Sequence, residues 1–282
     1  MKLAILGKGG SGKSTISWIL ASYFARTKKT LAIDEDFNMD LIDHFGYEPR
    51  DFDTIADNHI LFRETFEMEK SEKWFDLLKK KLPEYEIDSK VFKELSLSVN
   101  SNLSLMLTGL GNENNLYTGK CGHSHSAPLK FILPKIKTNQ GEVILIDSVA
   151  GVDMLSYGLF MGVDMIITVV EPVKNSIKIA NQIKELCKEI DLPVGFIINK
   201  SVENDLINSF VIENDDLILG KIPFNQSISF YKFSLIEDDL QDNLFEINQR
   251  IDLRKAQPID QWTRLVEFEN KKDSMKLYFG DK

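Results

Sequence analysis

A lysine and a serine, Lys13 and Ser14, end a glycine-rich run within Lys2–Thr15, KLAILGKGGSGKST. Together with Gly7 and Gly12 they match G-x-x-x-x-G-K-[ST], a loop whose backbone amides cradle phosphate oxygens at a helix N-terminus. In such a loop the lysine reaches the β- and γ-phosphates and the serine hydroxyl coordinates Mg²⁺. The spacing therefore predicts a site for a nucleoside triphosphate and Mg²⁺.

The context of this loop favours the prediction over a chance glycine-rich turn. A short apolar run precedes Gly7, as in a buried parallel strand, and apolar residues recur at helical spacing from Ser14 to Arg26. Such a strand–turn–helix arrangement is the one that confirms the motif. We predict that the nucleotide is bound by Gly9, Gly10, Ser11, Gly12, Lys13, Ser14 and Thr15.

Carboxylates follow two of the other predicted strands. Asp34 and Asp36 come directly after the strand Thr30–Ile33, and Asp147 ends the apolar strand Glu142–Ile146. The carboxyl ends of parallel strands are where doubly wound sheets bind ligands. We therefore expect these acids near the phosphates, the alternative being acidic turns without a ligand.

A third group of residues could bind a transition metal. Cys121, His123 and His125 stand within one polar loop and include one of the two cysteines and two of the four histidines. Thiolate and imidazole suit Zn²⁺, Ni²⁺ or Cu. One such loop is short of a closed site, but a two-fold dimer would supply Cys121 and His123 twice. The alternative is a polar loop in which these residues have no ligand.

The loop sequence GKGGSGKS, with its early lysine Lys8, resembles the deviant phosphate loop of the MinD and ParA partition ATPases. The same family includes the arsenite-pump ATPase, nitrogenase iron protein and CooC-type nickel-insertion ATPases. By this resemblance Lys8 reaches across a homodimer to the partner's nucleotide, where a second cation would stabilise developing phosphate charge. The alternative is a solvated loop lysine.

The resemblance also implies roles for the carboxylates. The segment after the second strand is similar to the family's D-x-D switch I, in which Asp34 would contact the Mg²⁺ shell and Asp36 would orient the attacking water. DSVAG, from Asp147 to Gly151, resembles the D-x-x-A-G switch II. Asp147 would then hold Mg²⁺ through water. The catalytic residues implied by the resemblance are Lys8, Lys13 and Asp36. The alternative for switch II is a simple strand-to-helix turn.

Two further strand ends resemble the family's base contacts. Asn199 and Lys200 follow the sixth predicted strand, and an asparagine side chain can both donate to and accept from an adenine edge. Pro223 follows the seventh strand in a segment similar to I-P-x-D, with Asn225 where aspartate is usual. The resemblance therefore assigns Asn199, Lys200 and Pro223 to the nucleotide site.

The metal loop narrows the resemblance to CooC-type proteins, which carry a C-x-C pair at this point and bind metal across the dimer. Here His123 replaces the second cysteine. The resemblance implies a homodimeric, ATP-dependent metallochaperone that holds Zn²⁺ or Ni²⁺ at its interface. It would insert metal, with nickel the leading candidate, into a client metalloenzyme such as carbon monoxide dehydrogenase.

The elements that position these residues alternate between strands and helices. We predict a single doubly wound α/β domain, 1–282, whose mostly parallel sheet has about seven strands flanked by helices, the P-loop NTPase class. The stretch 51–100 is expected to be a helical insertion, and its aromatic residues to cover the fold's own core rather than a client. Cys187 falls on an apolar helix stripe and is expected in the core. The segment Pro128–Lys137 is expected to be one helix.

Composition limits the function classes. The chain of 282 residues is 43% hydrophobic and 27% charged, with a net charge of −9, which argues against a nucleic-acid partner. No signal segment or long apolar run appears, so we expect a cytoplasmic protein without membrane binding. A MinD/ParA-like positioning ATPase and an iron-protein-like reductase component stay open as alternatives, while an arsenite-pump subunit is disfavoured because its trivalent ligand requires three thiols.

Overall fold

The computed structural model describes residues 1–36, 38–109, 127–151, 155, 157–202, 204–225, 228, 237–255 and 260–279. The strands are β1 (Lys2–Gly7), β2 (Lys29–Asp34), β3 (Tyr85–Glu86), β4 (Ser96–Ser98), β5 (Leu103–Leu107), β6 (Ile136–Lys137), β7 (Glu142–Asp147), β8 (Met165–Val170), β9 (Val194–Ser201) and β10 (Ile218–Pro223). The α-helices are α1 (Lys13–Phe24), α2 (Asp40–His44), α3 (His59–Thr65), α4 (Lys90–Leu95), α5 (Ala127–Ile132), α6 (Lys174–Glu189), α7 (Asp205–Glu213), α8 (Glu237–Arg254) and α9 (Gln261–Phe279).

Eight of these strands form one sheet in the order β10-β9-β8-β1-β7-β2-β5-β4. Each pair from β10 to β5 is parallel, and only β4 runs antiparallel to its neighbour β5. The predicted doubly wound α/β class is confirmed. The sheet has one strand more than the seven predicted, because the short strand β4 adds to its edge.

Helices cover both faces of the sheet because its central strands are apolar on both sides. One core cluster joins the sheet to α1 and α8, with Ile19 and Leu244 among its buried residues. The other cluster joins the opposite face to α5, α6 and α9, with Phe131, Ile183 and Leu265 among its members. Burial of this kind is the main contribution to the stability of the fold.

The stretch 51–100 contains α3, α4, a 3-10 helix at Trp74–Lys79 and the strands β3 and β4. Phe62, Phe66 and Phe92 are buried within the same cluster as residues of the sheet, so these aromatic rings do cover the fold's own core. Strand β3 pairs with β6 outside the main sheet. The assignment of 1–282 to a single domain with an insertion at 51–100 stays a prediction.

Two further expectations about elements can be compared with the structure. Cys187 lies on α6 and is fully buried, as its position on an apolar stripe predicts. The segment Pro128–Lys137, expected to be one helix, instead contains α5, a 3-10 turn at Leu133–Lys135 and β6. Among the described residues no helix combines the length and apolar character needed to cross a membrane.

Candidate functional site

The glycine-rich loop joins the buried end of β1 to the first turn of α1. At Gly7 a Cβ would lie 2.6 Å from the carbonyl oxygen of Val169 on the neighbouring strand, so only glycine permits this approach. Gly12 precedes α1 with φ +91° and stands directly against the Asn199 side chain. The helix therefore begins at Lys13 with its N-terminal amides open to a phosphate group.

Side chains from β9 hold the loop from behind. The Asn199 amide Nδ2 donates to the Ser11 carbonyl oxygen at 2.8 Å, and Lys200 Nζ donates to the Gly10 carbonyl oxygen at 2.9 Å. Both residues also line the cleft above the loop. Their contact with a base stays a prediction, while the structure gives each of them a role in supporting the phosphate loop.

Lys8 lies at the outer side of the loop. Its Nζ is 3.0 Å from Glu171 Oε1, at the end of β8, and also donates to the Gly9 carbonyl oxygen at 2.9 Å. Lys200 approaches the other oxygen of Glu171 at 3.3 Å. Within a single chain Lys8 thus has an acidic partner, and its predicted contact with a partner subunit's nucleotide stays a prediction.

The predicted carboxylates meet beside the loop because β2 and β7 are adjacent and in register. Asp34 pairs directly with Asp147, each at the last position of its strand. Asp34 Oδ2 accepts from the backbone amides of Leu41 and Ile42, at 3.0 and 3.3 Å, and thereby fixes the start of α2. The segment predicted to be switch II also contacts the loop in this region, since the Gly151 amide donates to the Gly7 carbonyl oxygen at 3.0 Å.

Burial perturbs both of these acids. Removal from water raises the pKa of Asp147 to about 6, against the opposing influence of the Ser14 and Ser17 hydroxyls and the Lys13 ammonium. Removal from water also raises the pKa of Asp34 well above its usual range, and the neighbouring Asp147 raises it further. A divalent cation placed here would favour the ionised forms of both.

The oxygen atoms at this position are suitable ligands for Mg²⁺. Asp147 Oδ1 accepts from the Ser17 hydroxyl at 2.9 Å, whereas Oδ2 is buried without a hydrogen-bond partner among the described residues. Mg²⁺ prefers oxygen ligands and retains several waters, so Ser14 with water-mediated contacts to Asp147 and Asp34 would suffice. Bound there, the ion would neutralise phosphate charge. Assignment of these three residues to Mg²⁺ stays a prediction.

Asp36 lies just beyond β2 and is 9% exposed. Its backbone amide donates to Asp34 Oδ1 at 3.2 Å, and its own Oδ1 accepts from the Asn38 amide at 3.0 Å. Asp36 is therefore tied to the Asp34 side chain just beyond the carboxyl end of β2. Its predicted role in orienting the attacking water is consistent with this location and stays a prediction.

A cleft of about 520 Å³ opens above the loop and collects most of the predicted nucleotide contacts. Its lining consists of Gly10, Gly12, Lys13, Ser14, Thr15, Asp40, Asp43, His44, Asn199, Lys200, Pro223, Phe224, Asn225 and Ile228. Asp40, His44 and Phe224 were not predicted as site residues. Phe224 could have been found from its place beside Pro223, whereas His44 is brought to Thr15 only by the packing of α2 on α1.

The predicted metal ligands Cys121, His123 and His125 lie outside the described residues. Within the described part of the chain no group of three or more His, Cys, Asp or Glu side chains is arranged to hold a metal ion. Gly109 is the last residue described before this segment. The amide of the preceding residue, Thr108, donates to the Asp34 carbonyl oxygen at 2.9 Å. The metal loop therefore stays a prediction from sequence.

The parallel sheet, the phosphate loop and the adjacent carboxylates together define a P-loop ATPase. The chain belongs to the CbiA family, described as the CobQ/CobB/MinD/ParA nucleotide binding domain, which matches residues 3–234. An uncharacterized ATP-binding protein of Methanocaldococcus jannaschii is 30% identical over 90% of this chain and 99% of its own length. These matches confirm the predicted family and ATPase class.

Two further matches are to proteins of the CooC and MinD types. The carbon monoxide dehydrogenase accessory protein CooC of Rhodospirillum rubrum is 26% identical, over 81% of this chain and 85% of that protein. The structure of the MinD cell division protein of Aquifex aeolicus matches with a TM-score of 0.59 at 19% identity, covering 92% of this chain and 99% of that one. At this identity the structural match shows the fold alone.

Proposed function

We propose that this ATPase is a dimeric metallochaperone that binds a transition metal in its ATP state and releases it to a client metalloenzyme after hydrolysis. The similarity to CooC over most of both chains supports this proposal. The sequence supports it independently, because Cys121, His123 and His125 supply thiolate and imidazole ligands in one short segment. Nickel and carbon monoxide dehydrogenase are the leading candidates for metal and client.

One contact carries the proposal, because it links the nucleotide site to the chain that leads into the metal loop. Strand β5 is parallel to β2, and the Thr108 amide just after it donates to the Asp34 carbonyl oxygen at 2.9 Å. Gly109 then packs against Thr54, where a Cβ would lie 2.6 Å from the Thr54 side chain. A movement of switch I on ATP binding would therefore shift Thr108 and Gly109, the residues that lead toward the Cys121 segment.

In the proposed cycle, Lys13 and Mg²⁺ hold the triphosphate while Lys8 leaves Glu171 and reaches the partner's nucleotide. Closure brings Cys121 and His123 of both subunits together, giving four ligands for a tetrahedral site that binds Zn²⁺ or Ni²⁺ as cargo. Hydrolysis, with Asp36 orienting the water, loosens the dimer. The metal then loses half of its ligands and passes to the client.

A positioning ATPase of the MinD type is the second candidate, because the family match includes MinD and ParA. Such a protein would need to bind a membrane or DNA, so co-sedimentation with liposomes or DNA in the presence of ATP tests it directly. A reductase with a shared iron–sulfur cluster is less well supported. A shared cluster needs two cysteine ligands from each subunit. Of the two cysteines in this sequence, Cys187 is fully buried on α6, so each subunit could offer only Cys121 as a ligand.

The test is metal analysis of the purified protein with a non-hydrolysable ATP analogue and with ADP. We expect about one metal ion per dimer in the triphosphate state and much less with ADP. Cys121→Ser should lose the metal, whereas Cys187→Ala, at a buried thiol whose pKa is raised to about 12, should retain it. Metal content that is equal in Cys121→Ser and the parent protein contradicts the proposal and leaves an ATP-driven dimer of another function.

A further inference from the structure

His44, at the end of α2, makes a hydrogen bond with Thr15, which directly follows the phosphate-loop residues Lys13 and Ser14. Its Nε2 is 3.0 Å from the hydroxyl Oγ1 of Thr15, in the first turn of α1, and its Nδ1 is 2.7 Å from the carbonyl oxygen of Asp40. The imidazole lines the same cleft as Thr15 and packs near the Trp18 ring at 5.8 Å between centroids. A titratable imidazole is therefore hydrogen-bonded directly to Thr15, a residue predicted to bind the nucleotide.

The two partners determine where the protons lie. The Asp40 carbonyl oxygen can only accept, so Nδ1 carries the hydrogen of the neutral ring. Nε2 is then the acceptor, and the Thr15 hydroxyl must donate its single proton to it. Burial lowers the pKa of His44, which favours this neutral arrangement at neutral pH when no nucleotide is bound.

A phosphate oxygen also can only accept, so it competes with His44 for the Thr15 proton. We propose that a bound nucleotide resolves this competition by protonation of His44, which makes His44 a positioning residue for the phosphates. One proton from solvent enters at Nε2, which then donates to Thr15 Oγ1, and the Thr15 hydroxyl turns its own proton toward the phosphate. The assignment rests on nucleotide binding at this loop.

The charged groups around the His44 imidazole are compatible with its protonation when nucleotide binds. Helix α2 contributes Asp40 and Asp43, both of which raise the pKa of His44 and so oppose the effect of burial. Lys13 on α1 and Lys200 on β9 line the same cleft. The nucleotide would offset these two ammonium groups with several negative charges, so the bound state favours an imidazolium at His44.

The test measures proton uptake by titration calorimetry with Mg²⁺ and a non-hydrolysable ATP analogue, in two buffers of different ionisation enthalpy near pH 7. The wild-type protein should take up more protons per bound nucleotide than His44→Gln, by at most about one. In that variant the amide nitrogen donates to Thr15 at every pH, so binding persists without the proton. His59→Gln, which changes a histidine that packs on Trp74 and is not among the described residues lining the cleft, should match the wild type.

Affinity provides a second readout. Between the His44 pKa values of the free and bound protein, wild-type affinity should fall about tenfold per pH unit relative to His44→Gln. Thr15→Val should lose affinity and the extra proton together. Equal proton uptake in wild type and His44→Gln, with nucleotide still bound, contradicts the inference, and so does a histidine NMR signal that keeps His44 neutral when nucleotide is bound. Failure of the wild type to bind nucleotide would instead contradict the assignment of the loop.

Discussion

At the residue scale, the acids Asp34 and Asp147 are costly to ionise in the folded chain. Both are fully buried at adjacent strand ends, and burial raises the pKa of each. The Lys13 ammonium, the Ser17 hydroxyl and backbone amides offset part of this cost. If Mg²⁺ binds here as predicted, its charge would favour the ionised carboxylates and recover part of the free energy that their burial costs.

Asp147→Asn should therefore stabilise the nucleotide-free protein while it weakens Mg²⁺-dependent hydrolysis. The pKa of Asp147 rises from 3.8 in the unfolded chain to about 6 in the fold, so the native state binds the proton more tightly and loses stability as pH rises between these values. At pH 7 the variant should be more stable by up to about 3 kcal/mol in urea unfolding, and the difference should vanish near pH 4.

A matched control for this prediction is Asp216→Asn, at an exposed carboxylate in the turn before β10. Its unfolding free energy should stay within about 0.5 kcal/mol of the wild type. An Asp147→Asn protein that is less stable than the wild type at pH 7 would show that the carboxylate contributes more through its hydrogen bonds than it costs through burial.

At the scale of elements, helix α9 is anchored to the body of the fold by a buried ion pair. Lys130 Nζ on α5 lies 2.6 Å from Glu269 Oε1 on α9, and the two side chains are 9% and 3% exposed. The ammonium also stands over the Phe75 ring at 4.7 Å. Leu265 adds apolar contact in the same core cluster.

Lys130→Met should destabilise the protein by about 3–5 kcal/mol in urea unfolding, because it leaves the Glu269 carboxylate buried without its cation. The control is Lys90→Ala, which removes a surface pair with Glu94 at 3.6 Å and should cost less than about 0.5 kcal/mol. Losses of similar size in the two variants would mean that the buried pair is no stronger than the surface pair.

At the scale of the whole molecule, the outer side of the phosphate loop presents Lys8, which is 30% exposed and held by Glu171 in the single chain. If this lysine acts in the partner subunit's site, its removal should affect assembly far more than binding. Glu171 also contacts Lys200, so Lys200 remains as a cationic partner of this acid when Lys8 is lost. The loop itself keeps its supports from Asn199 and Lys200.

Lys8→Ala should retain ATP binding within about threefold and lose nucleotide-dependent dimerisation, because the proposed contact of Lys8 with a nucleotide is made across the interface. Analytical ultracentrifugation with a non-hydrolysable ATP analogue measures the dimer directly. Lys188→Ala, at an exposed lysine near the end of α6, should dimerise like the wild type. A Lys8→Ala protein that dimerises normally would remove the proposed role in trans.

The sequence by itself determined the class of fold and the place of the phosphate site. Continuous apolar runs such as Leu3–Leu6 predict parallel strands buried on both faces, and the glycine spacing before Lys13 permits only a small set of backbone conformations. These are local properties, so a single segment carries them. They also located Asp34 and Asp147 correctly at the ends of strands.

Only the tertiary structure decided which side chains meet across elements. The contact between His44 and Thr15, the support of the loop by Asn199, and the pairing of Lys8 with Glu171 join residues far apart in the chain. The edge strand β4 was also missed, because its three residues carry too little periodicity to separate strand from loop. Such features depend on helix packing and strand order, which bring distant residues to within hydrogen-bonding distance and which no local pattern encodes.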